Sequence, residues 1–414
     1  MLFAQSMKLL LISQYFPPET GAGATRSESI VKYLSELDWE IDVVSELPNY
    51  PTGKIYDGYR NKFLHHDIIF NSNVYRVWVW ANQRNTTIRQ LGIFISFLVS
   101  VLFFVLKHPK KYDIIYATSP PIFAGIAGVL ASKWLKTKFV FEVRDIWPDA
   151  AVDTGKINRK SLFFRWGRNI EKWIYRNADL IIPVTTDSEK IIKERCGNTP
   201  TKVITNGVDL DTFTRCNNPE EMVDEKYDTS KFRVGYVGSL GVIHDIETFI
   251  NAAKLCEAIP DIEFVIVGDG GARKKLEKAI KKINPTNLTW LGLKEHAKIP
   301  AYISSFDVAI NPVYDAEIFE SIITVKFYEY LACGVPVISL ARGLMEREGN
   351  KTGSVITIEP ENATLLAEKI TFLKENPHIL KQMASTAAPY ISKHYSRKTL
   401  TTILSQELKK FIAE

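Results

Sequence analysis

Lys326 and Glu329 stand three residues apart in the run Thr324 to Ser339, TVKFYEYLACGVPVIS. A cation and a carboxylate at that spacing share one face of a helix, here close to its start. Cys333-Gly334 stops the helix, and the β-branched run from Val335 begins a strand. A helix ended by glycine and followed at once by a strand marks a wound α/β sheet. The free N–H groups of a helix N-terminus collect anions, phosphate above all, so the pair reads as part of a nucleotide-diphosphate site. Taken alone, the segment fits a surface ion pair on an ordinary helix equally well.

Other segments supply similar chemistry. Gly238, Ser239 and Gly241 follow a strand and precede a helix, where missing Cβ atoms let backbone N–H groups approach phosphate oxygens. Val267 to Gly271, with Gly268 first, repeats the arrangement one unit later. His244 stands where a phosphate-facing cation would be useful, or is simply solvent-exposed. The run FEVRDIWPD crowds Glu142, Arg144, Asp145 and Asp149 beside Trp147 and Pro148 at a strand's carboxyl end. That grouping suits sugar binding or acid–base work, or an Arg144–Asp145 ion pair that fixes a loop. Ser119, in YATSPP, ends the preceding strand and would face the same cleft. The loop with Gly21 and Gly23 lacks the third glycine of the dinucleotide fingerprint, which argues against NAD. Asp209-Leu-Asp211 has the form of an Asp-x-Asp metal clamp but sits in a turn-rich connector, so no metal is expected. No Ser-His-Asp or P-loop pattern is present, and no cofactor is expected.

Positioning these residues requires a repeated strand–loop–helix frame. Strands are expected at 8–13, 40–47, 112–118, 138–144 and 179–184, then at 232–238, 262–268, 288–292, 307–311 and 335–339, with helices between them. At 414 residues the chain exceeds one typical core. The expectation is two doubly wound domains, 7–205 and 206–390, facing across a ligand-binding cleft. The charged, amphipathic segment 391–414 forms a terminal helix that packs back on the first domain. A hydrophobic fraction of 46% with 24% charged residues is ordinary for a globular protein, and a net charge of +5 gives no argument for nucleic acid. Four cysteines without CxxC pairs fit a reducing, cytoplasmic setting. Met1 to Ser6 carries no secretory pattern, and translation is expected to begin at Met7.

Leu91–Leu106 is uncharged and flanked by Arg84, Arg89, Lys107, Lys110 and Lys111. It is short for a spanning helix, which takes about 20 apolar residues. Three readings stay open: a fully buried core helix, half-insertion into an anionic membrane surface, or true spanning. The basic, aromatic run Phe163–Arg176 suits the membrane surface too, or a core-facing helix with a solvated basic side.

In order along the chain, VITNGVDLDTF, YVGSLGVIHDIETFINAA, VIVGDGGARKKLE, LTWLGLKEHAKIPAYISSFDVAINP and KFYEYLACGVPVIS resemble the family 4 glycosyltransferases of the GT-B fold. The N-terminal segments SQYFPPETGAGATR, LPNYPTGKIYDGY, YATSPP and FEVRDIWPD resemble the WbuB-like subgroup that builds bacterial surface polysaccharides. The resemblance implies transfer of a sugar, such as N-acetylfucosamine, from a UDP donor to an undecaprenyl-diphosphate-linked acceptor in O-antigen or capsule synthesis. It implies retention of configuration and an enzyme peripheral on the inner face of the cytoplasmic membrane. Glu329 would hold the donor ribose and Lys326 the leaving diphosphate, with Ser239 and Gly241 lining it. Gly292 and Leu293 would lie by the base, and Gly21 and Gly23 would close over the donor from the other domain. Asp145, with Arg144, Trp147 and Ser119, would face the acceptor side. Three departures stand out. The family's first glutamate, eight positions before Glu329, falls on Ser321, with Glu320 one residue off. Ser239 and His244 replace the usual Arg and Lys, and the N-terminal histidine is missing near Thr118–Pro120. A sugar-nucleotide 2-epimerase of the same fold, or a non-catalytic sugar-nucleotide-binding subunit, are the competing readings.

Overall fold

The computed structural model describes residues 6–83, 86–153, 157–224, 226–241 and 243–413. The lead-in before Ser6, Arg84 beside the apolar run, and Val242 in the loop after Gly241 lie outside them. The chain divides into two units, 1–206 with 397–414, and 207–396.

The first unit contains β1 (Met7–Ile12), α1 (Ala22–Ser35), β2 (Trp39–Glu46), β3 (Leu64–Ile69), β4 (Ser72–Val77), α2 (Thr87–Lys107), β5 (Ile114–Ser119), α3 (Ile122–Leu135), β6 (Lys138–Val143), α4 (Asp149–Asp153), α5 (Leu162–Asn177), β7 (Leu180–Pro183) and α6 (Thr186–Cys196). Its sheet runs β3-β4-β2-β1-β5-β6-β7, parallel except for the β3–β4 hairpin. Leu9–Ile12, Ile114–Ser119 and Phe139–Val143 are buried throughout, as expected of parallel strands covered on both faces. The sequence reading missed the hairpin. Its turn residues, Phe70 and Asn71, both take positive φ in a two-residue loop that usually advertises itself as Asn-Gly. In addition, β3 is an edge strand with a half-exposed face.

The second unit contains β8 (Phe232–Val237), α7 (Ile246–Leu255), β9 (Ile262–Val267), α8 (Arg273–Ile283), β10 (Leu288–Trp290), α9 (Ile299–Ser304), β11 (Val308–Pro312), α10 (Val325–Ala332), β12 (Val337–Leu340), α11 (Leu344–Thr352), β13 (Val355–Ile358), α12 (Ala363–Glu375) and α13 (Pro377–Tyr395). Its six strands, ordered β10-β9-β8-β11-β12-β13, are all parallel. The boundary expected after residue 390 falls inside α13; the chain leaves this unit after Ser396. The last helix, α14 (Arg397–Ala413), belongs to the first unit. There Leu400, Leu404 and Leu408 join the core beside Ile30, Val31 and Leu34 of α1. Trp39 Nε1 donates to Ser405 Oγ at 2.8 Å, and Lys202 pairs with Glu407 at 2.7 Å.

The apolar run lies within α2, which is not the fully buried core helix of one expectation. Ile93, Phe97, Val101, Phe104 and Val105 enter the core. The opposite face leaves Ile88, Val99 and Phe103 79%, 58% and 61% exposed. An uncharged sequence hides this division, because apolar residues satisfy either face. On α5, Gly167, Glu171, Ile174 and Tyr175 face inward, while Leu162, Arg165, Trp166, Trp173 and Arg176 are exposed.

Candidate functional site

Ligands of open parallel sheets bind beyond the carboxyl ends of the strands where strand order reverses. In the second unit that point lies between β8 and β11, and the proposed donor residues gather there. α10 forms as the sequence predicts. Gly334, at φ +69°, ends it while the N–H groups of Gly334 and Val335 bond Leu331 O and Tyr330 O, a closing pair of the Schellman type. The following strand begins at Val337, two residues later than expected, because Val335 and Pro336 complete the connection. At the other end, Thr324 Oγ1 donates to Asn311 Oδ1 at 3.0 Å rather than capping the helix, and no acidic residue occupies the first turn. That leaves an N-terminus suited to an anion.

Lys326, in that first turn, is 7% exposed. Its Nζ lies 2.6 Å from Tyr236 Oη, 3.0 Å from His244 Nε2, and 4.3 Å from the Tyr236 ring centroid. Tyr236 Oη in turn donates to Ser239 O at 2.8 Å, which ties the lysine to the glycine loop. Gly238, at φ +148°, is the lysine's seat: a Cβ there would lie 2.7 Å from Lys326 Cε and 2.8 Å from Nζ. A Cβ on Gly268 would lie 2.0 Å from Gly238 O, so the two strand-end glycines also let β8 and β9 close on each other. Burial pulls the Lys326 pKa down to about 7, against the opposing pull of Glu329. An ammonium has three donors. Two of them meet Tyr236 and His244, and the third is available to a phosphate oxygen.

His244 is neither the cation nor the solvent-exposed residue expected. It is buried, and burial together with Lys326 pushes its pKa down to about 3. A neutral ring that accepts from Lys326 at Nε2 carries its proton on Nδ1, and a hydrogen bond to the Pro312 backbone opposes the downward shift. The cation at this point is therefore Lys326, held against the neutral His244 ring. Glu329 follows one turn along α10 and is half-buried. Gly241 is open, with only His244 4.0 Å from its Cβ position. Gly292, at φ +68°, accepts from Gly268 N at 2.7 Å, and Leu293 is exposed. Ser321 closes the short 3₁₀ turn Glu317–Ser321; Glu320 is exposed, with its backbone against Gly343. Sequence reasoning missed Gly238 as the lysine's seat, and Tyr236, whose strand position gave no sign of its hydroxyl's role.

In the first unit the equivalent point lies between β1 and β5. Arg144 does not form the bonded loop-fixing pair with Asp145. Its guanidinium bonds the carbonyls of Ser119 (2.8 Å), Ala22 (3.2 Å) and Pro120 (3.5 Å). It also packs against Gly23, whose Cβ position lies 3.2 Å from Nη2, while Gly21 begins α1 at φ +119°. Asp145 is exposed, and the dense protein around it raises its pKa while Arg144 opposes the shift. Ser119, Asp145 and Trp147 line one cavity. Glu142 is not part of any open site: it is fully buried against Arg26, Tyr116 and Thr118. Asp209 accepts from the N–H of Asp211, a local turn.

The family model described as Glycosyltransferase Family 4 matches residues 23–212, and Glycosyl transferases group 1 matches 231–376. WcaI of Escherichia coli K12, named as a colanic acid biosynthesis glycosyl transferase, is 23% identical over 378 residues, 88% of this chain and 91% of its own. Sucrose-phosphate synthase from Thermosynechococcus elongatus superposes with a TM-score of 0.78 at 18% identity, over 98% of this chain and 99% of its own. Anabaena HepE, solved with UDP and glucose, gives 0.70 at 19%, over 97% and 99%. At these identities the two structures establish the fold.

Proposed function

The chain belongs to the family 4 and group 1 glycosyltransferases, enzymes of the GT-B fold, and from that premise we propose that it transfers a sugar from a UDP donor to a polyprenyl-diphosphate-linked saccharide in bacterial surface-polysaccharide synthesis. The observation that carries the reading is Lys326, seated over Gly238 at the start of α10 with one ammonium donor to spare. Charge that develops on a leaving diphosphate would meet this preorganised cation and the helix N-terminus. The carboxylate of Glu329 can accept from both hydroxyls of a ribose diol. UDP as the nucleotide is favoured by HepE, solved with UDP and glucose. WcaI, named for colanic acid biosynthesis, favours a surface polysaccharide as the product. The reading includes an N-acetylated deoxyhexose as the sugar, retention of configuration, Asp145 beside the acceptor hydroxyl, and no metal or other cofactor.

Release of UDP from UDP-sugars tests the reading. It is expected to depend on a polyprenyl-diphosphate-linked acceptor and to yield a lengthened lipid-linked saccharide. Appearance of an epimerised sugar nucleotide without any acceptor would overturn it in favour of an isomerase.

The reading also places the enzyme on the cytoplasmic face of an anionic membrane. The exposed apolar face of α2 supports this, as do Lys133 and Trp134 on α3 and the tryptophans of α5. Lys133 Nζ lies 5.7 Å from the Trp173 ring centroid. Apolar side chains among lysines and arginines bind a lipid surface through combined burial and charge. Wild-type protein is expected to co-sediment with phosphatidylglycerol vesicles, and Val99→Glu with Phe103→Glu to abolish most of that binding. Equal amounts of both proteins in the pellet would refute the surface assignment.

A further inference from the structure

The first unit holds a cavity of about 300 Å³, at the lower end of the range for ligand pockets. Leu91 and Phe94 of α2, Pro121 and Phe123 at the start of α3, Trp147, and Phe163 of α5 form its walls. Resting on the lipid-linked acceptor assigned above, we propose that this cavity holds the first isoprenoid units of a polyprenyl-diphosphate acceptor, with the diphosphate at the rim beside Arg144.

The walls are mainly carbon and ring faces, which reward a hydrocarbon and offer a saccharide few partners. The cavity is also built rather than incidental. Gly167 makes room for the indole, since a Cβ there would lie 2.5 Å from the Trp147 ring. Asp149, at the start of α4, is bound by Arg168 at 2.6 Å and by Arg195 at 3.0 Å, which pins the wall that carries Ala151. Along α2, the pocket residues Thr87, Gln90 and Leu91 interleave with exposed Ile88 and lead toward exposed Ile95 and Val99. A chain longer than the pocket therefore leaves it onto an apolar surface.

One cation stands beside the rim. The Arg144 guanidinium is fixed on the carbonyls of Ser119 and Pro120, both residues of the cavity. The N-terminus of α3 beside them has no side-chain cap and no acidic residue in its first turn. Asp145 is the one carboxylate among the described lining residues, and Arg144 offsets it. The occupant this combination fits has a hydrocarbon chain joined to a phosphate, and the acceptor class already assigned has that form.

The test titrates the full chain with farnesyl diphosphate below its micelle concentration, beside inorganic diphosphate, and records the UDP-induced thermal shift in parallel. Wild-type protein is expected to bind farnesyl diphosphate saturably and at least tenfold more tightly than inorganic diphosphate. Ala151→Phe, which fills the cavity, and Leu91→Asn, which makes its wall polar, should each weaken that binding at least tenfold while the cooperative melt and the UDP shift persist. Equal binding of farnesyl diphosphate to wild type and both variants, or no preference over inorganic diphosphate, would overturn the proposal. If UDP binds and farnesyl diphosphate does not, the pocket assignment fails and the donor site stands. If farnesyl diphosphate binds as expected and UDP does not, the donor reading fails instead.

Discussion

Lys326→Met should lower turnover by roughly 10²–10³-fold, the usual effect of removing a preorganised donor to developing charge, while the melting temperature holds or rises. The two effects diverge because burial of the ammonium works against folding. Its pKa is about 7 in the folded chain against 10.5 for the free side chain. Between those values the unfolded chain binds a proton that the folded chain lacks, so stability contributed by this group increases with pH across that window. Methionine keeps the length of the side chain and removes both the cost and the pH dependence. The same shift gives donor binding a sign. A diphosphate beside Nζ favours the charged form, so binding takes up a proton, and UDP affinity should weaken from pH 6.5 to pH 8.5 in the wild type. Calorimetry in buffers of different ionisation enthalpy reads that uptake directly. His244 does not share it, because its ring is neutral across the range. Near-normal turnover in Lys326→Met, or pH-independent UDP binding in the wild type, would remove the phosphate role.

Glu142→Ala should destabilise the N-terminal unit by about 3–5 kcal/mol, the range for stripping one partner from a buried ion pair. Glu142 is wholly buried, and Arg26 is 4% exposed. The carboxylate accepts from Arg26 Nη2 at 2.8 Å, Tyr116 Oη at 2.9 Å and Thr118 Oγ1 at 2.7 Å. Burial pushes its pKa upward, but Arg26, Arg144 and the Thr118 hydroxyl hold it below 4.5. That contribution is present above the unfolded value and is lost as pH falls through the lower folded one. Arg26 also reaches Thr205 O at 2.8 Å and Ile204 O at 3.3 Å, so the damage extends to the end of the unit. Urea unfolding of Glu142→Ala, Arg26→Met and the double variant separates charge from packing. The double variant should recover part of the loss, because it leaves no buried charge unpaired. Single variants within 1 kcal/mol of wild type would show that the pair carries no such weight.

The sequence alone determined the frame. Its apolar runs of strand length, each ended by glycine or a turn, specify parallel strands, because strands covered on both faces need nothing but apolar residues. Glycine in the left-handed region can be read at Gly334 because few other residues tolerate it. Lys326 and Glu329 were legible for a similar reason, since helical spacing is a local property. Tertiary structure alone decided what each charge meets. Lys326 has its pKa depressed by burial and meets Tyr236 and His244, which lie 90 and 82 positions away, and Arg26 finds Glu142 across 116. No periodicity encodes such distances, so His244 read as a cation or a solvated ring when it is a buried neutral ring against Lys326. The same limit applied to Leu91–Leu106. Composition showed an apolar helix, but only packing against the core determined which of its faces was left for something else to cover.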